Sequence, residues 1–261
     1  MSNFNTNREG TGTKEWSEHS YNIQTGCKHN CLYCYARANA LRFKQIATPE
    51  EWANEVIREK AVTKSWSKKN GVIMFPTTHD ITPDNIKPVI ETLTRMLIAG
   101  NHVLVVSKPH LSCIEKICSE LSDLKSQIMF RFTIGSYDPN VTAFWEPNAP
   151  EPKERVSALK YACLNDFNTS VSMEPMLGGY SQAIKTFADI KPYVTDTIWI
   201  GKMNKIRSRV DLSIPHNMEM VLAIEHLQRD SEIIRLVNEL KNEAKVRWKD
   251  SIKKVIECCT N

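Results

Sequence analysis

The stretch YNIQTGCKHNCLYCYA, residues 21–36, reads as a short strand, a cysteine loop and the first turn of a helix. YNIQT (21–25) has the length and residue types of a buried strand end. Cys27, Cys31 and Cys34 follow at the spacing C-x3-C-x2-C, so three thiolates can close around one metal centre from a single loop. Structural zinc sites and ordinary ferredoxin clusters take four protein ligands. Three cysteines with no obvious fourth describe a centre that keeps one coordination position open, and an open position serves chemistry rather than architecture. The competing reading is a zinc site completed by His29 or by a remote ligand.

Beyond this loop, short apolar runs alternate with amphipathic ones. VIMF (72–75), HVLVVS (102–107), QIMFRFTI (127–134), TSVSM (169–173) and DTIWI (196–200) are each rich in β-branched, aromatic or large apolar residues and read as buried strands. Helical patterns cover 36–61, 83–98, 110–122, 153–164 and 180–190; Pro83 sits at a favoured first-turn position and Gly100 follows the end of its segment. The alternation predicts an α/β fold, a partial (β/α)6 TIM-type barrel with parallel strands. From 216 to 257 the pattern predicts helix throughout, with Ile233, Val237, Leu240, Ala244, Trp248, Ile252 and Val255 on one stripe. The expected organisation is a flexible N-terminal segment (1–17), a barrel (18–205) and a helical C-terminal extension packed on it (206–261). Active sites of β-α barrels lie at the carboxyl ends of the strands, which is where a loop directly after the first strand falls.

The bulk properties set outer limits. The chain has 261 residues, 41% hydrophobic and 25% charged, enough for one substantial core, and its net charge of +4 does not by itself argue for a nucleic-acid partner. Residues 1–15 hold no signal-like apolar run, and no stretch approaches the roughly 20 apolar residues that span a bilayer. A cytoplasmic protein with no membrane partner is expected. In that compartment eight cysteines are not a disulfide framework. Cys113, Cys118, Cys163, Cys258 and Cys259 share no spacing.

CKHNCLYC, with the aromatic Tyr33 before its last cysteine, resembles the signature of the radical S-adenosylmethionine (SAM) superfamily, and the architectural resemblance covers about residues 18–201. It implies that Cys27, Cys31 and Cys34 hold three irons of a [4Fe–4S] cluster and that SAM chelates the fourth. It further implies an enzyme in which the reduced cluster cleaves SAM to a 5′-deoxyadenosyl radical that abstracts hydrogen from a substrate. A one-electron reductant such as flavodoxin or ferredoxin would serve as partner. VSKPH (106–110), FTIGSYD (132–138), WEPNAPEPKERVSAL (145–159) and VSMEPMLGG (171–179) are similar to segments of the spore-photoproduct-lyase-like branch and of a phage-associated radical SAM family. On that resemblance Lys108 would meet the SAM carboxylate, and Thr133 or Ser136 would supply a hydroxyl contact to SAM. Tyr33 would position the adenine through its backbone, Glu174 would touch the SAM ribose or the substrate, and Gly201 would allow close approach of the ligand.

One departure stands out: the Gly-Gly-Glu motif that binds the SAM amino group in many members is replaced by FPTTHD (75–80), where backbone carbonyls with Thr77, Thr78 or Asp80 would substitute. His79, Lys202 and Asn204 are further strand-end candidates, and one of Cys113, Cys118 and Cys163 is a candidate hydrogen donor. The branch points to a nucleotide or nucleic-acid substrate, in modification or repair. The alternatives are a small-molecule or amino-acid-derived substrate and, in another class, a non-catalytic zinc or iron–sulfur binding module.

Overall fold

The computed structural model describes Phe4 and residues 12–260. Seven strands form one parallel sheet in the order β1 (His19–Ser20), β4 (Val72–Phe75), β5 (His102–Ser107), β6 (Ile128–Thr133), β7 (Asn168–Met173), β8 (Ile198–Ile200) and β9 (Val246–Trp248). β2 (Gln24–Thr25) and β3 (Val56–Ile57) make a separate antiparallel pair. The main sheet starts at β1 and stops at β9, so the expected α/β partial barrel is present and open. The principal helices are α1 (Tyr35–Arg42), α2 (Glu59–Val62), α3 (Ile86–Ile98), α4 (Leu111–Glu120), α5 (Pro139–Trp145), α6 (Pro152–Leu164), α7 (Tyr180–Ile190), α8 (Pro215–Leu227), α9 (Asp230–Leu240) and α10 (Asp250–Thr260).

Period-two alternation divides each strand between two environments. Ile73, Phe75, Val103, Val105, Phe130, Phe132, Val171 and Met173 face the helices and form the main core with Val89, Leu93 and Met96 of α3 and Ile114 and Ile117 of α4. The other face lines the barrel lumen, where Met74, Leu104 and Met129 pack with Phe4 and Trp16. Arg131, Ser170 and Trp199 belong to this second face and make it partly polar.

Three local expectations need correction. YNIQT is not one barrel strand: only His19 and Ser20 pair with β4, and the chain turns away at Asn22. The reason is the Asn22 amide, which accepts from the backbone N–H groups of Thr77 (2.7 Å) and Thr78 (2.9 Å) and holds the chain on the strand mouth instead of in the ladder. Helix does not run from 36 to 61. It stops at Arg42, Lys44 takes a left-handed conformation (φ 55°), and a 3-10 turn, β3 and α2 follow. The tail from 216 to 257 is three helices and a strand, with Trp248 in β9 pairing opposite Ile200 rather than on a helical stripe.

The expected flexible segment 1–17 lies for the most part outside the described residues. Its described end, a 3-10 turn over Gly12–Glu15, places the Glu15 side chain in a buried position in an ion pair with Lys249, itself buried at the end of β9. Lys249 Nζ also donates to the Gly12 carbonyl (3.0 Å) and lies 4.5 Å from the Trp16 ring centroid. A buried charge stripped of its partner is costly. Lys249→Met should therefore lower stability by about 3 kcal/mol, measured by urea unfolding, and adding Glu15→Gln should recover most of that loss. A cost near that of a surface pair, about 0.5 kcal/mol or less, would show that this contact does not hold the two ends of the chain to the barrel.

Candidate functional site

The cysteine loop hangs between β2 and α1 at the carboxyl end of the sheet. Gly26 begins it with φ +85°, and a Cβ there would run into the Asn54 carbonyl oxygen, so only glycine lets the loop pass. The next residue donates its backbone N–H to the Trp52 carbonyl (2.7 Å). Asn30 is left-handed (φ 43°), a conformation asparagine tolerates. Arg37, buried on α1, donates to the Asn30 side chain (3.0 Å) and to the Leu32 carbonyl (2.7 Å), fixing the middle of the loop. The Cys34 sulfur caps α1 by accepting from Arg37 N–H (3.4 Å). Cys27 and Cys31 are buried, and the partly buried Cys34 packs against the side-chain clusters that contain each of them. Burial pushes the Cys31 thiol up to about 12, and burial with the nearby Asp80 charge lifts Cys27 well above the ordinary thiol range.

Asp80 is the hub of the site. Its Oδ1 accepts from Lys108 N–H (2.8 Å) and the Ser107 hydroxyl (3.1 Å), while its Oδ2 meets His29 Nδ1 (2.8 Å), Lys108 Nζ (3.4 Å) and the Cys27 thiol (4.0 Å). Burial opposes the charge, yet Lys108 and His29 hold this carboxyl well below the usual carboxylate range. His29 Nε2 lies 3.1 Å from His110 Nε2, and His110 Nδ1 is 3.6 Å from Glu154 of α6. Cys27, His29 and Asp80 each bring one ligand atom to within 4.8 Å of the other two.

A second buried set supports the other side of the loop. Tyr33 donates its hydroxyl to Glu146, and Glu146 pairs with Arg155, both side chains essentially without exposure. Arg155 also donates to the Thr133 carbonyl (3.3 Å), tying this set to the end of β6. The Tyr33 carbonyl accepts from Arg209 (3.4 Å), whose pKa is lowered by partial burial. α8 covers this flank, with Val221 and Ile224 in one cluster with Cys31, Tyr33 and Trp145.

The remaining expected residues are distributed unevenly. Thr77 accepts from Asn22 with its hydroxyl (2.7 Å) and from Tyr35 OH with its carbonyl. Glu174, its carboxyl raised by burial, lies 3.3 Å from Lys249 Nζ, and a Cβ on Gly201 would approach it to 3.0 Å. Ser136 is buried and committed elsewhere, donating to Gln182 (3.2 Å) and accepting from Asp138 N–H (3.0 Å). Lys202 pairs with Asp230 (3.1 Å), and Asn204 is exposed. Cys113 and Cys118 are buried in α4 within the main core, Cys163 is on α6, and Cys258 and Cys259 are exposed. His29 as an ion-pair residue, Glu146, Arg155, Arg209, Lys249 and Glu15 carried no spacing signal. Glu146 and Arg155 lie in a segment quoted above for its resemblance, but nothing local marks them as partners.

The donor set fits an iron–sulfur cluster: three cysteines of one loop, Cys27 and Cys31 buried and Cys34 packed against the side-chain clusters of both, with the Cys27 thiol and Lys108 Nζ on the same Asp80 oxygen. Fold and sequence together define an α/β partial-barrel protein with a three-cysteine loop at the carboxyl ends of its strands. The chain belongs to the radical SAM superfamily, whose family model matches residues 21–190. It is similar to the uncharacterized protein ORF301 of Acidianus two-tailed virus, 26% identical over 164 residues, which is 59% of this chain and 54% of that protein. The chain thus spans about half the length of that curated relative. Among solved structures it is similar to a spore photoproduct lyase variant with bound AdoMet and dinucleoside spore photoproduct, at TM-score 0.56 and 11% identity over 94% of this chain and 78% of the other. A second variant with the dinucleoside photoproduct gives TM-score 0.51 at 12% identity, covering 86% of this chain but 63% of its own. At these identities the likeness is one of fold. Among the described residues, no helix is long and apolar enough to cross a membrane.

Two outcomes follow. Gly26→Ala should cost more than the roughly 1 kcal/mol of forcing alanine to positive φ, because the Asn54 carbonyl must also move; it should lower the melting temperature and the iron retained after reconstitution. Wild-type values for both would show the loop adapts. His79 is a buried ring between Ile23 N–H (3.4 Å) and the Asp80 carbonyl (3.1 Å), and burial lowers its pKa to about 4. The unfolded chain therefore binds a proton near pH 6.5 that the native chain refuses until about 4. Stability from this group is complete above pH 6.5, and about 3 kcal/mol of it is lost as pH falls to 4. His79→Gln should flatten that part of the urea-stability profile; an unchanged slope would remove His79 as its source.

Proposed function

We propose that the protein is a radical SAM enzyme in which Cys27, Cys31 and Cys34 bind a [4Fe–4S] cluster and SAM completes its coordination. The observation that carries this is the three-thiol corner at the strand ends, beside the Lys108–Asp80 pair, in a chain of this superfamily. When bound, the cluster supplies the electron that cleaves SAM to the 5′-deoxyadenosyl radical used for hydrogen abstraction. This chain's residues do the holding. Arg37 and Gly26 shape the loop, Asp80 aims Lys108, and the Glu146–Arg155 pair anchors Tyr33. Lys108 is the cation beside the cysteine loop that suits the SAM carboxylate. Glu174 and Gly201 would line the ribose and substrate side, with the Thr77 and Thr133 hydroxyls at the mouths of their strands. Asp80 has its oxygens engaged by its own chain, so the amino-group contact falls to strand-mouth carbonyls such as those of the Thr77–Thr78 segment. A nucleotide or nucleic-acid substrate, a flavodoxin- or ferredoxin-type reductant and a cytoplasmic location complete the reading. The barrel is assigned to 18–205 and the extension to 206–261, which adds β9 to the edge of the barrel's sheet. It is supported by the fold shared with a lyase whose bound ligands are AdoMet and a dinucleoside photoproduct.

Anaerobic reconstitution tests it. The protein should take up about four irons per chain and, once reduced, convert SAM to 5′-deoxyadenosine, and Cys→Ala at position 27, 31 or 34 should abolish both. Iron that is not retained, or SAM left intact by the reduced protein, would remove the proposal. A second reading has one observation behind it: Cys27, His29 and Asp80 form a donor set suited to a single zinc ion in a non-catalytic module. His29→Gln separates the two. Zinc retention should collapse in the module, whereas the iron content of a cluster held by three cysteines should stay near wild type.

A further inference from the structure

Two cavities of about 480 and 220 Å³ lie along the β1 edge of the open barrel and share Asn22 and Arg58. The smaller reaches the residues next to the cysteine loop, with Tyr35 and Thr78 in its wall. Their chemistry is uneven in a way the net charge conceals. Among the described residues no carboxylate lines either cavity, while Arg58 and Lys60 do. Most cations at the mouth are neutralised: Lys108 by Asp80, Arg155 by Glu146, and Lys249 by Glu15 and Glu174. Arg58 and Arg209 differ. Each donates only to a backbone carbonyl, of Asn22 (2.7 Å) and Tyr33 (3.4 Å), and among the described residues neither has a carboxylate in ion-pair range. Arg209 reaches the same stretch of chain by its bond to the Tyr33 carbonyl, two residues before Tyr35, which lines the smaller cavity.

The remaining lining is aromatic and amide. Tyr35 and Phe43 are 41% and 65% exposed; the Tyr35 hydroxyl donates to the Thr77 carbonyl, and the Arg42 guanidinium lies 5.5 Å from the Phe43 centroid, a further cation beside the ring. Asn39 and Gln45 are exposed, and their amides make no hydrogen bond to the described residues. Exposed rings offer stacking that is indifferent to base identity, amides offer a donor and an acceptor in one plane, and unpaired cations attract phosphates.

We propose that this edge is a groove for single-stranded nucleic acid. Its backbone runs over Lys60, Arg58 and then Arg209, and its bases stack on Phe43 and Tyr35. The strand is delivered to the mouth between Cys34 and Glu174. This rests on the reading of that mouth as the reaction site and names the substrate class it serves. A duplex does not fit the assignment, because its bases cannot reach the exposed rings.

The test is fluorescence anisotropy of the full chain with a labelled 12-nucleotide oligothymidylate, with the matching duplex as competitor. Saturable binding at least ten-fold tighter than the duplex is expected, with a logarithmic salt slope of about −2 for three phosphate contacts. Arg58→Ala with Lys60→Ala, and separately Arg209→Ala, should each weaken binding about ten-fold, and Phe43→Ala about five-fold or more. Arg209→Lys should restore most of its share, which separates lost charge from lost folding. Lys116→Ala on α4, away from the groove, should bind as wild type. Absence of saturable binding, equal affinity for duplex, or wild-type affinity in the groove variants overturns the proposal. Running reconstitution on the same preparation keeps the two readings apart. SAM cleavage without oligonucleotide binding sinks the groove alone, and oligonucleotide binding without iron retention sinks the radical reading alone.

Discussion

The Asp80 carboxylate is the constraint on which the rest of the site depends. A buried charge of this kind is tolerated only when its lone pairs are met. Asp80 meets them with groups from two other elements, the cysteine loop through His29 and Cys27 and the end of β5 through Ser107 and Lys108, and so ties both to its own turn after β4. The loop, two strand mouths and the Lys108 cation are therefore fixed relative to one point. Any group bound at the three thiols would sit in a frame set before it arrives, which is the arrangement that lets a site hold geometry without reorganising.

Two more buried ionic contacts do the same work around the rim. Glu146–Arg155 receives the Tyr33 hydroxyl and attaches the loop to α6 and β6. Lys249, held by Glu15, brings both described ends of the chain to Glu174. The exposed pairs are different in kind. Lys125–Asp166, with its aspartate 82% exposed, belongs to a class worth at most about 1 kcal/mol. Removing one partner from a buried pair costs several times that. The rim therefore owes its shape to a few internal charges rather than to the many surface ones.

Most of the fold was legible because strands buried on both faces announce themselves as apolar runs: VIMF, HVLVVS and DTIWI each contain the observed strand. β9 was not, since KVRW is short, charged and flanked by helix-forming residues, and it becomes a strand only by pairing with β8. Tertiary context decided it. In the site, the cysteines were legible because all three ligands come from one loop at a fixed spacing. The ionic hubs were not, because their partners are remote: His29 and Asp80 are 51 positions apart, and Tyr33 and Glu146 are 113. No local pattern encodes such a meeting. Asp80 is legible as a strand-mouth residue and as a stand-in for the absent Gly-Gly-Glu motif; its engagement by His29, Ser107 and Lys108 is not.

The lumen shows how the open barrel tolerates polarity beneath the site. Arg131 of β6 is buried between Trp16 and Trp199, its guanidinium carbon 4.7 and 5.5 Å from their ring centroids, and it donates to the Ser170 hydroxyl (3.0 Å). Burial lowers its pKa to about 9, still above neutral, so it stays charged. A lumen filled only with aliphatic side chains would need no such clamp. Here the aromatic faces and hydroxyls replace water around the cation, and Trp16 arrives from the N-terminal segment that Lys249 holds in place. The same lysine that orders Glu174 at the mouth thus keeps the ring that covers Arg131 below it. The position of Glu174 at the rim and the packing in the lumen are consequently coupled through one side chain at the end of β9.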